Sequence, residues 1–103
     1  MDRKLDAWIA ENVDDEGVAM YTLPNYTSDM NESFRVVDKL LSENFRVEFL
    51  LQDELITTSI SWKEEGPEKY SDLDLLNTPL PMAICLAAYK LKTGKDWNEP
   101  ESN

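Results

Sequence analysis

TPLPMAICLAAYKLKTG, residues 78–94, contains an apolar run unbroken for eight positions, 82–89. Thr78 is placed to cap a helix, and Pro79 suits its first turn, where a missing N–H costs nothing. Lys90, Lys92 and Lys95 put positive charge where the helix dipole favours it, and Gly94 is a natural stop. A membrane-spanning helix needs about 20 apolar residues, so this run is too short to be one. A helix apolar on nearly all sides is buried by neighbours on more than one side. The stretch is therefore expected to be the central helix of a small domain. Cys85 lies in the middle of it and reads as a small hydrophobe, whose burial raises the thiol pKa rather than activating it.

Working upstream, residues 64–77, EEGPEKYSDLDLLN, form an acidic connection long for its kind. Leu73, Leu75 and Leu76 offer anchors for a short strand or helical turn within it. Before it stands a hairpin. Phe45, Val47, Phe49 and Leu51 alternate with Arg46, Glu48, Leu50 and Gln52, the pattern of a strand with one buried face. After a turn near Asp53 and Glu54, Ile56, Thr58, Ile60 and Trp62 share one face, with Thr57, Ser59, Ser61 and Lys63 on the other. A helix is expected from about Asp29 to Glu43, capped by Ser28 or by Asp29 with Glu32. Its apolar side is read as Met30, Phe34, Val37 and Leu41, joined by Leu40.

Residues 18–23, VAMYTL, are apolar enough for a short strand ended by Pro24. Residues 2–13 read as an amphipathic helix with Leu5, Trp8, Ile9 and Val13 along its apolar side, followed by an acidic turn at Asp14, Asp15, Glu16 and Gly17. The expected fold class is α+β. A small antiparallel sheet of about three strands packs with three helices in the order α-β-α-β-β-α, like a sandwich. Residues 1–97 are assigned to one domain and 98–103 to a polar, frayed tail, with Trp97 able to pack back.

The composition narrows the function. With 103 residues and 42% hydrophobic residues the chain is of a size to bury one core. A single Cys makes no internal disulfide, and residues 1–12 lack the apolar core of a signal peptide, so the default location is cytoplasmic. Twenty-one acids against ten bases give a formal charge of −11. Such a surface repels phosphate backbones and anionic lipids but suits a basic protein partner. The plainer consequence of that charge is solubility.

Two further stretches carry a resemblance. LPNYTSDMNESFRVVDKL, residues 23–40, and PLPMAICLAAYKLKTG, residues 79–94, are similar in sequence and order to two motifs of the phage ABA sandwich domain family. LDAWIAENV, residues 5–13, is similar to that family's opening helix. The chain departs from the pattern at Asp14, Asp15 and Glu16, in the acidic stretch before the last helix, and at Leu86, where many members carry Arg. The resemblance implies a phage or prophage origin and a helix–sheet–helix sandwich. It implies no catalytic residues.

The residues themselves point the same way. There is no His, which removes the commonest neutral-pH base and the Ser–His and Cys–His pairs. The acidic groups lack the spacing of a calcium loop, and three isolated glycines make no phosphate loop. The expectation is a protein that is not an enzyme and has no cofactor and no metal. Its candidate protein-binding surface is Asp14, Asp15, Glu16, Glu64, Glu65, Glu68, Asp72 and Asp74. The partner would be a host protein with a basic nucleic-acid-binding groove, such as a CRISPR effector, bound without direct contact to nucleic acid or membrane. Two alternatives stay open. One is a small-molecule binder using Asn25, Tyr26, Thr27 and Ser28 at a helix start, although the same residues are explained by breaking a strand and capping a helix. The other is a homo-oligomeric accessory protein, for example a homodimer through a sheet edge or the first helix.

Overall fold

The computed structural model describes residues 2–14, 23–43, 45–53, 56–64 and 69–97. Helix α1 spans Arg3–Ile9 and runs on into a wider π-helical turn, Ala10–Asp14. Asp2 caps α1, its carboxylate accepting from the Leu5 N–H at 3.0 Å. Helix α2 spans Met30–Ser42. Asp29 is its cap as expected, accepting from the N–H groups of Asn31 at 2.8 Å and Glu32 at 3.2 Å. Three antiparallel strands follow, β1 (Phe45–Asp53), β2 (Ile56–Glu64) and β3 (Lys69–Pro79), in sheet order β1-β2-β3. Helix α3, Leu80–Thr93, closes the order.

The hairpin has the alternation read from its sequence up to Leu50, and register shifts between Leu50 and Leu51 and between Leu51 and Asp53 interrupt it towards the turn. Val47 stands opposite Trp62 and Phe49 opposite Ile60. Ile60 and Trp62 are buried, while Arg46 and Glu48 are exposed. The helices cover this apolar face: α2 contacts β1, and α3 contacts β2 and β3. Helix α1 packs on α3, and the π-helical turn on α2. As its sequence demands, α3 touches α1, α2, β2 and β3. Ala83, Ile84, Cys85, Ala87 and Ala88 are all buried in it, the small alanines letting neighbours approach closely. Its end is also as read: Gly94 adopts φ +78°, a left-handed stop that L side chains rarely take, and its N–H donates to the Lys90 carbonyl at 2.7 Å.

Two expectations, the cap at Thr78 and the apolar face of α2, are corrected. Within the acidic connection, where a short strand or a helical turn was open, the strand forms: β3 begins at residue 69, the third strand follows the hairpin, and Leu73 pairs opposite Ile60. The expected strand at 18–23 falls outside the described residues except for Leu23, which is not in a strand. Thr78 is the penultimate residue of β3, opposite Thr57, rather than a helix cap. Pro79 takes the capping position instead, without a side-chain hydrogen bond. On α2 the buried residues are Ser33, Val36 and Leu40, whereas Phe34 is 41% and Leu41 51% exposed. Ser33 joins the buried face because its hydroxyl donates to the Met30 carbonyl at 2.9 Å, so its polarity is satisfied within the helix. The expected tail at 98–103 lies outside the described residues.

A small apolar cavity of about 10 Å³ remains between the helix layer and the sheet, lined by residues including Val37, Phe49, Trp62 and Ala87. No helix among the described residues is long and apolar enough to cross a membrane.

Candidate functional site

Asp14 is not on the surface. It closes the π-helical turn 1% exposed, accepting from the Tyr26 hydroxyl and pairing with the Arg35 guanidinium at 2.9 Å. Tyr26 is also fully buried. Burial, then the hydrogen bond to Asp14 and its charge, push the Tyr26 phenol well above its ordinary pKa, opposed by the Arg35 charge. A second buried acid works beside it. Asp6, 0% exposed, accepts from the Thr27 N–H at 2.8 Å and from Arg3 at 2.8 Å. Two carboxylates from the first helical segment thus clamp the turn that leads into α2. A buried carboxylate is tolerated only when paired and hydrogen-bonded, and both are.

The turn proposed as a ligand site is occupied by these bonds. The Asn25 side-chain oxygen accepts from Arg3, and its carbonyl accepts from the N–H groups of Ser28 at 3.1 Å and Asp29 at 2.8 Å. The Thr27 hydroxyl accepts from the Asp2 N–H at 2.9 Å. Ser28 is exposed, and Asp29 rather than Ser28 takes the first helical N–H groups of α2. The other end of the chain joins in: the Trp97 indole donates to Asp2 at 3.0 Å and stacks edge-on against Tyr89, which meets Trp8 in the same way. Trp97 therefore packs back, tying the end of α3 to the start of α1.

The remaining acidic candidates are differently placed. Asp72 and Asp74 occupy alternate positions in β3, opposite Ser61 and Ser59. Glu64 ends β2, opposite Phe45 on one side and Lys69 on the other. Asp15, Glu16, Glu65 and Glu68 lie outside the described residues. The fold therefore separates Asp14, held in the helix layer against α2, from Asp72 and Asp74 in the sheet under α3. A cleft of about 330 Å³ opens beside Asp14, lined by Arg35, Asp38, Lys39 and Ser42 as well. Its two acids are matched by two bases. Cys85 is fully buried, and burial pushes its thiol well above the ordinary value, with the charges of Asp6 and Asp2 adding to the effect. A thiol held protonated is a poor nucleophile.

Sequence reading missed Asp6 and Arg35 as members of the turn clamp. The Arg3–Asp6 spacing of an i,i+3 ion pair was a signal available for the first. No local signal marks the second, because its partner is 21 positions away in sequence and is reached only through the fold.

A comparison with curated proteins gave no match. Among solved structures, a 2.0 Å crystal structure of a phage protein from Bacillus cereus ATCC 14579 has the same fold, with a TM-score of 0.69 over 95% of this chain and 93% of that one. The two sequences are 18% identical, so the likeness concerns the fold alone. The family model described as Phage ABA sandwich domain matches residues 3–89, which takes in α1, α2, all three strands and most of α3. The chain belongs to the phage ABA sandwich domain family.

Proposed function

We propose that the chain is a protein-interaction module that acts in the host cell by binding a basic surface of a host protein. The observation that carries this reading is the formal charge of −11 on a compact phage domain. Long-range attraction from such a charge speeds encounter with a basic partner and selects against acidic ones. In its finer form the partner is a nucleic-acid-dependent defence enzyme, such as a CRISPR effector, whose basic groove receives the acids instead of nucleic acid. Glu64, Glu65, Glu68, Asp72 and Asp74, with Asp15 and Glu16, make the contacts. Asp14 is left out of that set because its carboxylate is committed to Tyr26 and Arg35.

The test is affinity capture from a host lysate at low and high salt, followed by replacement of Glu64, Glu65, Glu68, Asp72 and Asp74 by Lys. The reading expects a captured protein that is lost at high salt and is bound at least about tenfold more weakly by the charge-reversed variant. Equal capture by both chains at both salts would sink it.

A further inference from the structure

Helix α2 carries apolar residues on more than its buried side. At about 100° per residue, Ser33, Val36 and Leu40 form the row turned into the core, and Met30, Phe34, Val37 and Leu41 form a second row beside it. The spacing of the second row is four, three, four, the apolar seam that one helix presents to another. Met30 and Val37 pack partly against the core, whereas Phe34 is 41% and Leu41 51% exposed. Isolated apolar side chains at a surface need no explanation. These two stand seven residues apart on one line and join the core through Val37, so solvent reaches a connected stripe.

The charges beside the stripe decide what suits it. On its solvent flank α2 places Asn31, Asp38 and Ser42, all exposed, and Asp38 is the only charge of the helix there. Arg35 lies further round, paired with Asp14 at 2.9 Å and Glu32 at 3.2 Å. We infer that this stripe docks one amphipathic helix of a partner protein. The apolar row of that helix covers Phe34 and Leu41, and Lys or Arg beside the row faces Asp38. The formal charge of −11 draws a partner of the same basic kind. A second copy of the chain fits poorly. A twofold pairing uses one patch twice, so it sets the two Asp38 flanks against each other and joins two chains of −11.

This inference rests on the interaction-module reading and gives it a surface. The test titrates the isotope-labelled full chain with a peptide of about four helical turns, carrying Leu at alternating spacings of four and three with Lys between. Two controls share its length, one with the same residues scrambled and one with Glu in place of Lys. The Leu–Lys peptide is expected to gain helicity on binding, read by circular dichroism, and to shift the signals of Phe34, Asp38 and Leu41. Replacing Phe34 and Leu41 together by Ser, two exposed positions, is expected to weaken it at least about tenfold. Asp38→Lys, which leaves the apolar row intact, is expected to weaken the Lys peptide and tighten the Glu peptide. Equal binding of the scrambled peptide, shifts centred away from α2, or no saturation at millimolar peptide would each overturn the inference. Concentration-dependent self-association abolished by the Ser variant would overturn it too, by making a second copy the occupant. If the wild-type chain captures a salt-sensitive host protein and the Ser variant captures it equally well, the stripe is excluded while the interaction reading stands. If the wild-type chain captures none, that reading fails and the peptide alone judges the stripe.

Discussion

Replacing Asp14 by Ala should destabilise the fold by about 3 kcal/mol. A hydrogen bond to a charged group contributes about 1.5–3 kcal/mol, and leaving a buried hydroxyl without a partner costs about 1–3 kcal/mol. Both apply here, since the Tyr26 hydroxyl is buried and donates to Asp14, while Arg35, about half exposed, can turn to water. For a domain of this size the loss corresponds to roughly 10–25 °C in Tm. The assay is urea unfolding followed by tryptophan fluorescence, paired with calorimetry. Tyr26→Phe alone should cost about 1–2 kcal/mol, and the double variant clearly less than the sum of the singles, because the two groups share one bond. Asp38→Asn, at an exposed position of the same cleft, is the control and should stay within about 0.5 kcal/mol. An Asp14→Ala loss no larger than that of the control, or strict additivity with Tyr26→Phe, would refute the argument that the buried carboxylate holds the turn.

Three other outcomes follow from the same fold. The Cys85 thiol has a raised pKa in the fold, so its contribution is complete below the unfolded value of about 8.5 and is lost as pH rises above it. Stability should fall by about 2 kcal/mol between pH 7 and 10, and Cys85→Ala should flatten that slope in pH-dependent urea titrations. Gly94→Ala should cost about 1 kcal/mol from the left-handed backbone alone, since an added Cβ meets nothing within 4 Å, and Gly94→Asn should cost less; thermal melts decide. Val37→Ile adds one methylene towards the small apolar cavity and should raise the urea midpoint, by up to about 0.8 kcal/mol in stability, unless the walls cannot accept it.

What could be read from the chain in advance depended on whether apolar pattern alone decided the outcome. Helix α3 and the β1–β2 hairpin were legible because a solid apolar run and a strict alternation each admit one burial. β3 stayed one of two alternatives, a short strand or a helical turn, because Asp72 and Asp74 are residues that strands usually avoid, although Leu73 and Leu75 alternate with them. The buried face of α2 was misplaced by following apolar residues past Ser33, whose hydroxyl is satisfied by its own helix, to Phe34 and Leu41, which are exposed. The turn at 25–28 was legible as a helix entry. Its dependence on Asp6 and Asp14 was not, because acids are seldom fully buried and their partners become neighbours only on folding. The acidity was legible as net charge, and the fold draws Asp14, one of the acids assigned to the surface, inside.

The central claim is that the charge of this chain is directed at a basic protein partner. Its most direct test is the affinity of the captured host protein, measured calorimetrically across a salt series for the native chain and for the variant with Glu64, Asp72 and Asp74 replaced by Lys. The account predicts affinity that falls steeply with salt for the native chain. The variant should lose at least about tenfold at low salt and show a shallower salt dependence. Matching affinities and matching salt slopes would contradict it.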